Sequence, residues 1–352
     1  WSSQSYSEGD GPQKLAENLV LRDDDAADAG GNLSKAVVVV ANYVAGEDVF
    51  AIGEVADPQV LNPGTAVEVG TAGDFTYSYE VEDNQLTLTL SAVNPPDGAS
   101  PDAFAAVLSE LTYENKAEAP TEAPRTLTLS VTDTSGDSES EESNDAVMTL
   151  SVGNVNDNPE ITNWSSQSYS EGDGPQKLAE NLELSDDDAL DAAQGPLSQA
   201  VVVVTGYVAG EDVFAFDGEA VAAGQLLANG ITLDSATESP LGTLTLTLSA
   251  AEDGSTAEDF QAVLRTLTYA NTNDGDPNPA ARELTLTVTD TSESANAASE
   301  VAVMRLTVTG ENDAPVITSW PDSASYIEGD AAATKLAENL ELSDDDALDA
   351  AQ

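Results

Sequence analysis

Nineteen residues, WSSQSYSEGDGPQKLAENL, stand at positions 1–19 and again, letter for letter, at 164–182. Self-similarity at a fixed period makes a chain an array of repeated domains, and the period sets the domain size. A looser copy, WPDSASYIEGDAAATKLAENL, occupies 320–340. Other blocks keep step: YVAGEDVFAI (43–52) with YVAGEDVFAF (207–216), DAFAAVLSELTYEN (102–115) with EDFQAVLRTLTYAN (258–271), and RTLTLSVTDTS (125–135) with RELTLTVTDTS (282–292). The tryptophans at 1, 164 and 320 give periods of 163 and 156 residues. The expected division is repeat 1 over 1–158, repeat 2 over 159–314, and the N-terminal part of an incomplete repeat 3 over 315–352. Copies this alike imply recent duplication. Together with the opening on Trp1, they imply an excerpt from a longer array.

Within each period, strands dominate. TLTLTLSA (243–250) and ELTLTVTD (283–290) alternate apolar residues with threonine or another polar residue, the period-two mark of a half-buried antiparallel strand. The valine runs at 37–40 and 201–204 are apolar on both faces and predict a central strand. Glycine, proline, asparagine and aspartate separate the runs at turn-like spacing. One segment breaks the rule: Phe260, Val263 and Leu264 fall at i, i+3 and i+4 and predict a short helix crossing between sheets. Seven or more strands and one short helix in each period make an all-β class, an enlarged β-sandwich. The third copy is too short to bury a core alone.

Composition narrows the function. Sixty-five acidic against ten basic side chains give a formal charge of −55, which argues against nucleic-acid binding and against docking on anionic lipid. The chain has neither cysteine nor histidine, which removes disulfides, Ser-His-Asp triads and the usual zinc ligands. No apolar stretch reaches the roughly 18 residues of a membrane span, so no membrane insertion is expected. Acidic pairs are unavoidable among so many carboxylates, and a glycosidase would need the same site in both full repeats, so no enzyme is expected.

Four acidic signals recur in register: EGD at 8–10, 171–173 and 328–330; DDD at 23–25, 186–188 and 344–346; VTD ending at Asp133 and Asp290; and NDNP at 156–159, echoed by NDAP at 312–315. Strand parity places EGD at the lower end of a repeat, with DDD and VTD at the upper end. The lower end of one repeat, the linker and the upper end of the next are therefore expected to converge. The first junction gathers Glu8, Asn156, Asp157, Asp186, Asp188 and Asp290; the second gathers Glu171, Asn312, Asp313, Asp344 and Asp346. Like charges a few ångströms apart cost roughly 1–4 kcal/mol per pair near a surface, so cations must neutralise them. Ca²⁺, which takes six to eight oxygens at flexible geometry, suits the set better than Mg²⁺, which prefers a tight octahedron.

The order E-G-D, D-D-D, V-T-D, N-D-N-P resembles the cadherin repeat, and FQAVLRTLTYAN…VTD…NDAP is closer still to the bacterial cadherin-like repeats of giant RTX-type adhesins and surface proteins. The resemblance implies tandem, Ig-like, Greek-key sandwiches in an extracellular, calcium-stiffened rod at the cell surface, with Ca²⁺ bound between neighbouring repeats. It is partial: Asn154 and Gly310 stand where the family's linker begins with Asp, Ala314 replaces the final Asn, and no D-R-E motif is present. Asp274 and Asp276 could substitute for that motif in repeat 2. Two alternatives remain at this stage. One is a self-assembling filament or sheath of many copies; the other is a carbohydrate-binding module with Trp and Asp on one sandwich edge. The tryptophans are expected to plug the seams between repeats, and Tyr6, Tyr113, Tyr169 and Tyr269 to serve as core or corner residues.

Overall fold

The computed structural model describes the chain except for residues 24–30, 53–65, 73–74, 94–96, 135–141, 189–194, 252, 293–296, 321, 330–331 and 345–352. Two compact units are present, Trp1–Val155 and Asn156–Gln352.

In the first unit the elements are β1 (Gln4–Ser7), β2 (Gln13–Lys14), β3 (Leu33–Ala41), β4 (Asp48–Ile52), β5 (Ala66–Ala72), β6 (Phe75–Glu82), β7 (Gln85–Ala92), α1 (Pro101–Leu108), β8 (Leu111–Asn115), β9 (Arg125–Asp133) and β10 (Ala146–Gly153). One sheet has the order β1-β10-β9-β3-β7-β6-β5, the other β2-β8-β4. Every pairing is antiparallel except β1 with β10. The valine run lies in β3, paired on both sides, as its double apolar character predicts. Between the sheets, Val38, Leu88 and Leu129 meet Phe50, Leu111 and Tyr113 in one core.

The second unit repeats the plan with β11 (Glu160–Thr162), β12 (Gln167–Ser170), β13 (Gln176–Lys177), β14 (Glu183–Ser185), β15 (Leu197–Thr205), β16 (Asp212–Phe216), β17 (Glu219–Ala220), β18 (Gln225–Leu226), β19 (Thr232–Ser239), β20 (Thr243–Ser249), α2 (Ala257–Leu264), β21 (Thr268–Asn271), β22 (Arg282–Asp290) and β23 (Ala302–Thr309). Its sheets are β12-β23-β22-β15-β20-β19-β18 and β13-β21-β16-β17, with β11 and β14 paired separately. Last come β24 (Val316–Ser319) and β25 (Glu341–Ser343), which pair as β11 and β14 do. The chain is built of β-sandwich repeats.

Helix α2 connects the two sheets where the i, i+3, i+4 pattern predicts it, with Phe260, Val263 and Leu264 buried. Its start is fixed by a capping box: Thr256 Oγ1 accepts from Asp259 N, and the Asp259 carboxylate accepts from Thr256 N. The stretch QKLAENLEL contributes to two short strands, β13 and β14. A turn closed by Leu182 N donating to Ala179 O separates them, and Leu178, Ala179 and Leu182 are all buried.

Each unit buries one polar network that sequence reading did not single out. The Asp48 carboxylate accepts from Val44 N (2.8 Å), Tyr113 Oη (2.7 Å), Asn115 Nδ2 (3.1 Å) and the Arg125 guanidinium (2.8 Å). Arg125 Nη1 also donates to Ala123 O (2.8 Å) and to Thr121 O. The second unit copies this with Asp212, Val208, Tyr269, Asn271 and Arg282. A buried ion pair tolerates desolvation only when its remaining donors and acceptors are satisfied, and both are. Tyr6 and Tyr169 pack edge-on against Tyr113 and Tyr269 at 5.0 Å, so all four tyrosines are core residues as expected.

Trp164 corrects the expectation of a seam plug. It is buried in the core of its own unit, where its indole N–H donates to Leu284 O (3.1 Å). Leu284 lies six residues along β22 from Asp290, roughly 20 Å at strand rise. Trp1 is partly buried against the first core, while Trp320 is 59% exposed.

Candidate metal centre

At the end of the second unit where β22 finishes, three segments meet. The first is Asn156 and Asp157, which enter the unit. The second is the turn Asp186–Asp187–Asp188 after β14. The third is Asp290, the last residue of β22. Each is held by local chemistry. Asp290 is fixed because β15 carries a bulge between Leu197 and Gln199, and the bulged Ser198 donates its hydroxyl to Asp290 O (2.6 Å) and Thr289 O (3.0 Å). Next to it, Gly254 takes φ +75°; a Cβ there would lie 2.9 Å from Thr291 Cγ2 and 2.7 Å from Pro196 Cβ, so only glycine allows this loop to pack so closely. The aspartate turn is tied down by Leu184 N donating to Gln261 Oε1 of α2 (2.9 Å) and by Asp188 N donating to Asp186 Oδ1 (3.0 Å).

Side chains then join the segments. Asn156 Nδ2 donates to Asp290 Oδ2 (3.0 Å), and Asp157 N donates to Asp188 Oδ2 (2.6 Å). Asn156, Asp186, Asp188 and Asp290 are all buried, and Asp157 is half-buried. Asp186 Oδ2 is buried and accepts no hydrogen bond among the described residues. Burial pushes the Asp186 carboxyl up to about 7. The Asp188 amide offsets part of this, and the charges of Asp290, Asp188 and Asp187 add to it. Asp290 is raised too, by burial first; Asn156 and Ser292 hold it down, and Asp188 pushes it further up.

These donors suit a hard divalent cation. They are all oxygen, anionic or amide, and one buried carboxylate oxygen lacks the donor that would otherwise compensate its desolvation. The four carboxylates of Asp157, Asp186, Asp188 and Asp290 would be balanced by about two divalent ions.

Glu8 lies in the first unit, at the end of that unit where β10 finishes. Its Oε2 accepts from Val155 N (3.0 Å), and its own amide donates to Gly153 O (3.0 Å). A Glu118 carboxylate oxygen comes within 4.8 Å of one of Glu8. Sequence reading passed over Glu118 because no motif marks it. Its register with Asp274, three residues after Asn271 as Glu118 is after Asn115, was the available signal. Asp10 and Asp173 are turn residues: each accepts from a serine amide three residues earlier, Ser7 or Ser170 (3.0 and 3.1 Å).

Of the second set, Glu171 repeats the role of Glu8, accepting from Glu311 N (2.9 Å) while its own amide donates to Thr309 O (2.9 Å). Asn312 Nδ2 donates to Asp313 O (2.8 Å), as Asn156 does to Asp157 O. Asn312 and Asp344 are exposed where Asn156 and Asp186 are buried, and Asp346 lies outside the described residues. In the second unit α2 covers the strand before the aspartate turn; among the described residues no helix covers β25.

No family model matches the chain, and no curated protein matches it. Among solved structures it is similar to mouse cadherin-23 EC22-24, with 11% identity over 98% of this chain and 75% of that one and a TM-score of 0.32. It is similar to human mucin-like protocadherin EC1-2, with 14% identity over 76% and 87% and a TM-score of 0.26. A third is the C-terminal domain of the Streptococcus agalactiae AgI/II polypeptide BspA, with 13% identity over 86% and 95% and a TM-score of 0.18. Among the described residues no helix is long and apolar enough to cross a membrane.

Proposed function

We propose that the chain is a stretch of a calcium-rigidified extracellular repeat rod, the stalk of a bacterial adhesin or surface fibre. The observation that carries this reading is the buried oxygen of Asp186, set among Asp188, Asp290 and Asn156 where the chain enters the second unit. Ca²⁺ at that point would be held by Asn156, Asp157, Asp186, Asp188 and Asp290, with Glu8 from the preceding repeat completing its shell. Glu171, Asn312, Asp313, Asp344 and Asp346 would do the same at the next junction. The ion supplies charge neutralisation and a shared anchor, replacing repulsion between carboxylates with common ligation and so fixing the angle between repeats. Small-angle scattering in calcium and in chelator tests it: the maximum dimension should shrink and the profile broaden when calcium is removed. An unchanged maximum dimension would sink the stiffening mechanism.

A further inference from the structure

A polar groove in the second unit, of about 540 Å³, lies between the loop around Asn163, β13, β14 and the end of α2. Lys177 and Arg265 both line it, two of only ten basic residues in the chain. Neither has a carboxylate partner within 4.0 Å among the described residues, in a molecule with 65 acidic side chains. Arg265 Nε donates to Leu182 O (2.8 Å), and its terminal guanidinium nitrogens make no hydrogen bond among the described residues.

Comparison of the repeats shows how this arises. In the first unit the equivalent lysine, Lys14, pairs with Glu110 at 2.9 Å, and in the third copy Lys335 approaches Glu338 at 3.6 Å. The second unit has Thr266 in place of Glu110 and Arg265 in place of Ser109. Two adjacent changes therefore release one cation and add another, beside a nineteen-residue block that is otherwise identical between the repeats. Two cations and two carboxylates, Glu180 and Glu183, thus line one groove without pairing directly with each other among the described residues.

We propose that this groove binds an acidic saccharide, a uronate-type sugar. Lys177 and Arg265 would take its carboxylate, Arg265 through paired N–H donors that match carboxylate geometry. Asn163 and Asn181 offer both donors and acceptors, and Glu180 and Glu183 accept from hydroxyl groups. That mixed rim suits a hydroxyl-rich ligand carrying one anionic group and disfavours an acidic peptide, whose repeated charges the two glutamates would repel. The volume falls within the roughly 300–1,000 Å³ of small-molecule sites and accommodates a disaccharide. The inference stands on the groove alone and does not depend on calcium at the aspartate cluster.

The test is an NMR titration of the full chain, in calcium, with a disaccharide of one galacturonate and one galactose and with its neutral analogue bearing a C6 alcohol in place of the carboxylate. The uronate disaccharide should shift the Asn163 and Asn181 side-chain amides, bind more weakly with added salt, and bind about tenfold or more tighter than the neutral sugar. The Arg265→Ser/Thr266→Glu variant installs the residues the first unit already folds with, so it should keep its fold while losing that preference. No shift at millimolar sugar, equal binding of the neutral analogue, binding unchanged in the double variant, or equal binding of a short aspartate peptide would each overturn the proposal.

Discussion

Asp186 gives the sharpest residue-scale prediction. Its carboxyl titrates near 7 in the metal-free fold against an ordinary value of 3.8, so between those values the folded state holds a proton that the unfolded state has released. Stability of the metal-free protein therefore falls as pH rises from about 4 to 7 through this group. Calcium requires the deprotonated form and should reverse the trend. Thermal melts at pH 5 and 7.5 should show a lower midpoint at the higher pH in chelator, and a larger calcium-induced rise there. The Asp186→Asn variant should flatten the chelated profile; an unchanged profile would show that the group does not titrate in this range. The Asp212–Arg282 pair makes a second prediction at this scale. Asp212→Ala leaves a buried guanidinium without its anion and should cost about 3–5 kcal/mol in denaturant unfolding. Replacing Asp212 and Arg282 together with apolar residues of similar volume should cost much less, because no lone buried charge remains.

Among the elements, α2 connects the core to the end that carries the aspartate turn. Its buried face packs on the sandwich while Gln261 holds the strand before the aspartate turn. Thr256→Ala removes the N-terminal cap and should destabilise the unit by about 1 kcal/mol, measurable as a shift in denaturant midpoint at constant slope. Gln261→Ala should leave the helix intact but weaken calcium binding, seen by titration calorimetry, since Leu184 N loses its acceptor beside the turn. The helix itself is legible in the spacing of Phe260, Val263 and Leu264. The break between β13 and β14 is not: QKLAENLEL contains neither glycine nor proline. The strand gives way where the adjacent Leu178 and Ala179 are both buried, which breaks the alternation of a continuous strand and is decided by packing.

For the whole molecule, charge and period dominate. At −55 the chain repels itself, and under the proposed function a cation would relieve that repulsion where the carboxylates crowd most closely. Under the proposed function, chelation should leave the β-sheet circular dichroism of the sandwiches largely intact while limited proteolysis accelerates within about ten residues of Asn156 and Asn312. Cleavage inside the sandwiches first, or no change in rate, would contradict it.

The period, the all-β class, the central valine strands, the short helix and the placing of the aspartate turn beside Asn156 and Asp290 could all be read from the sequence, because alternation and strand parity are local rules that survive in one dimension. What only the tertiary structure decided is which polar groups lose water. The pairing of Asp48 with Arg125, the burial of Trp164 in its own core, the approach of Glu118 to Glu8 and the uncompensated oxygen of Asp186 each join residues distant in the chain. Desolvation is a property of that three-dimensional surround, and no spacing along the chain encodes it.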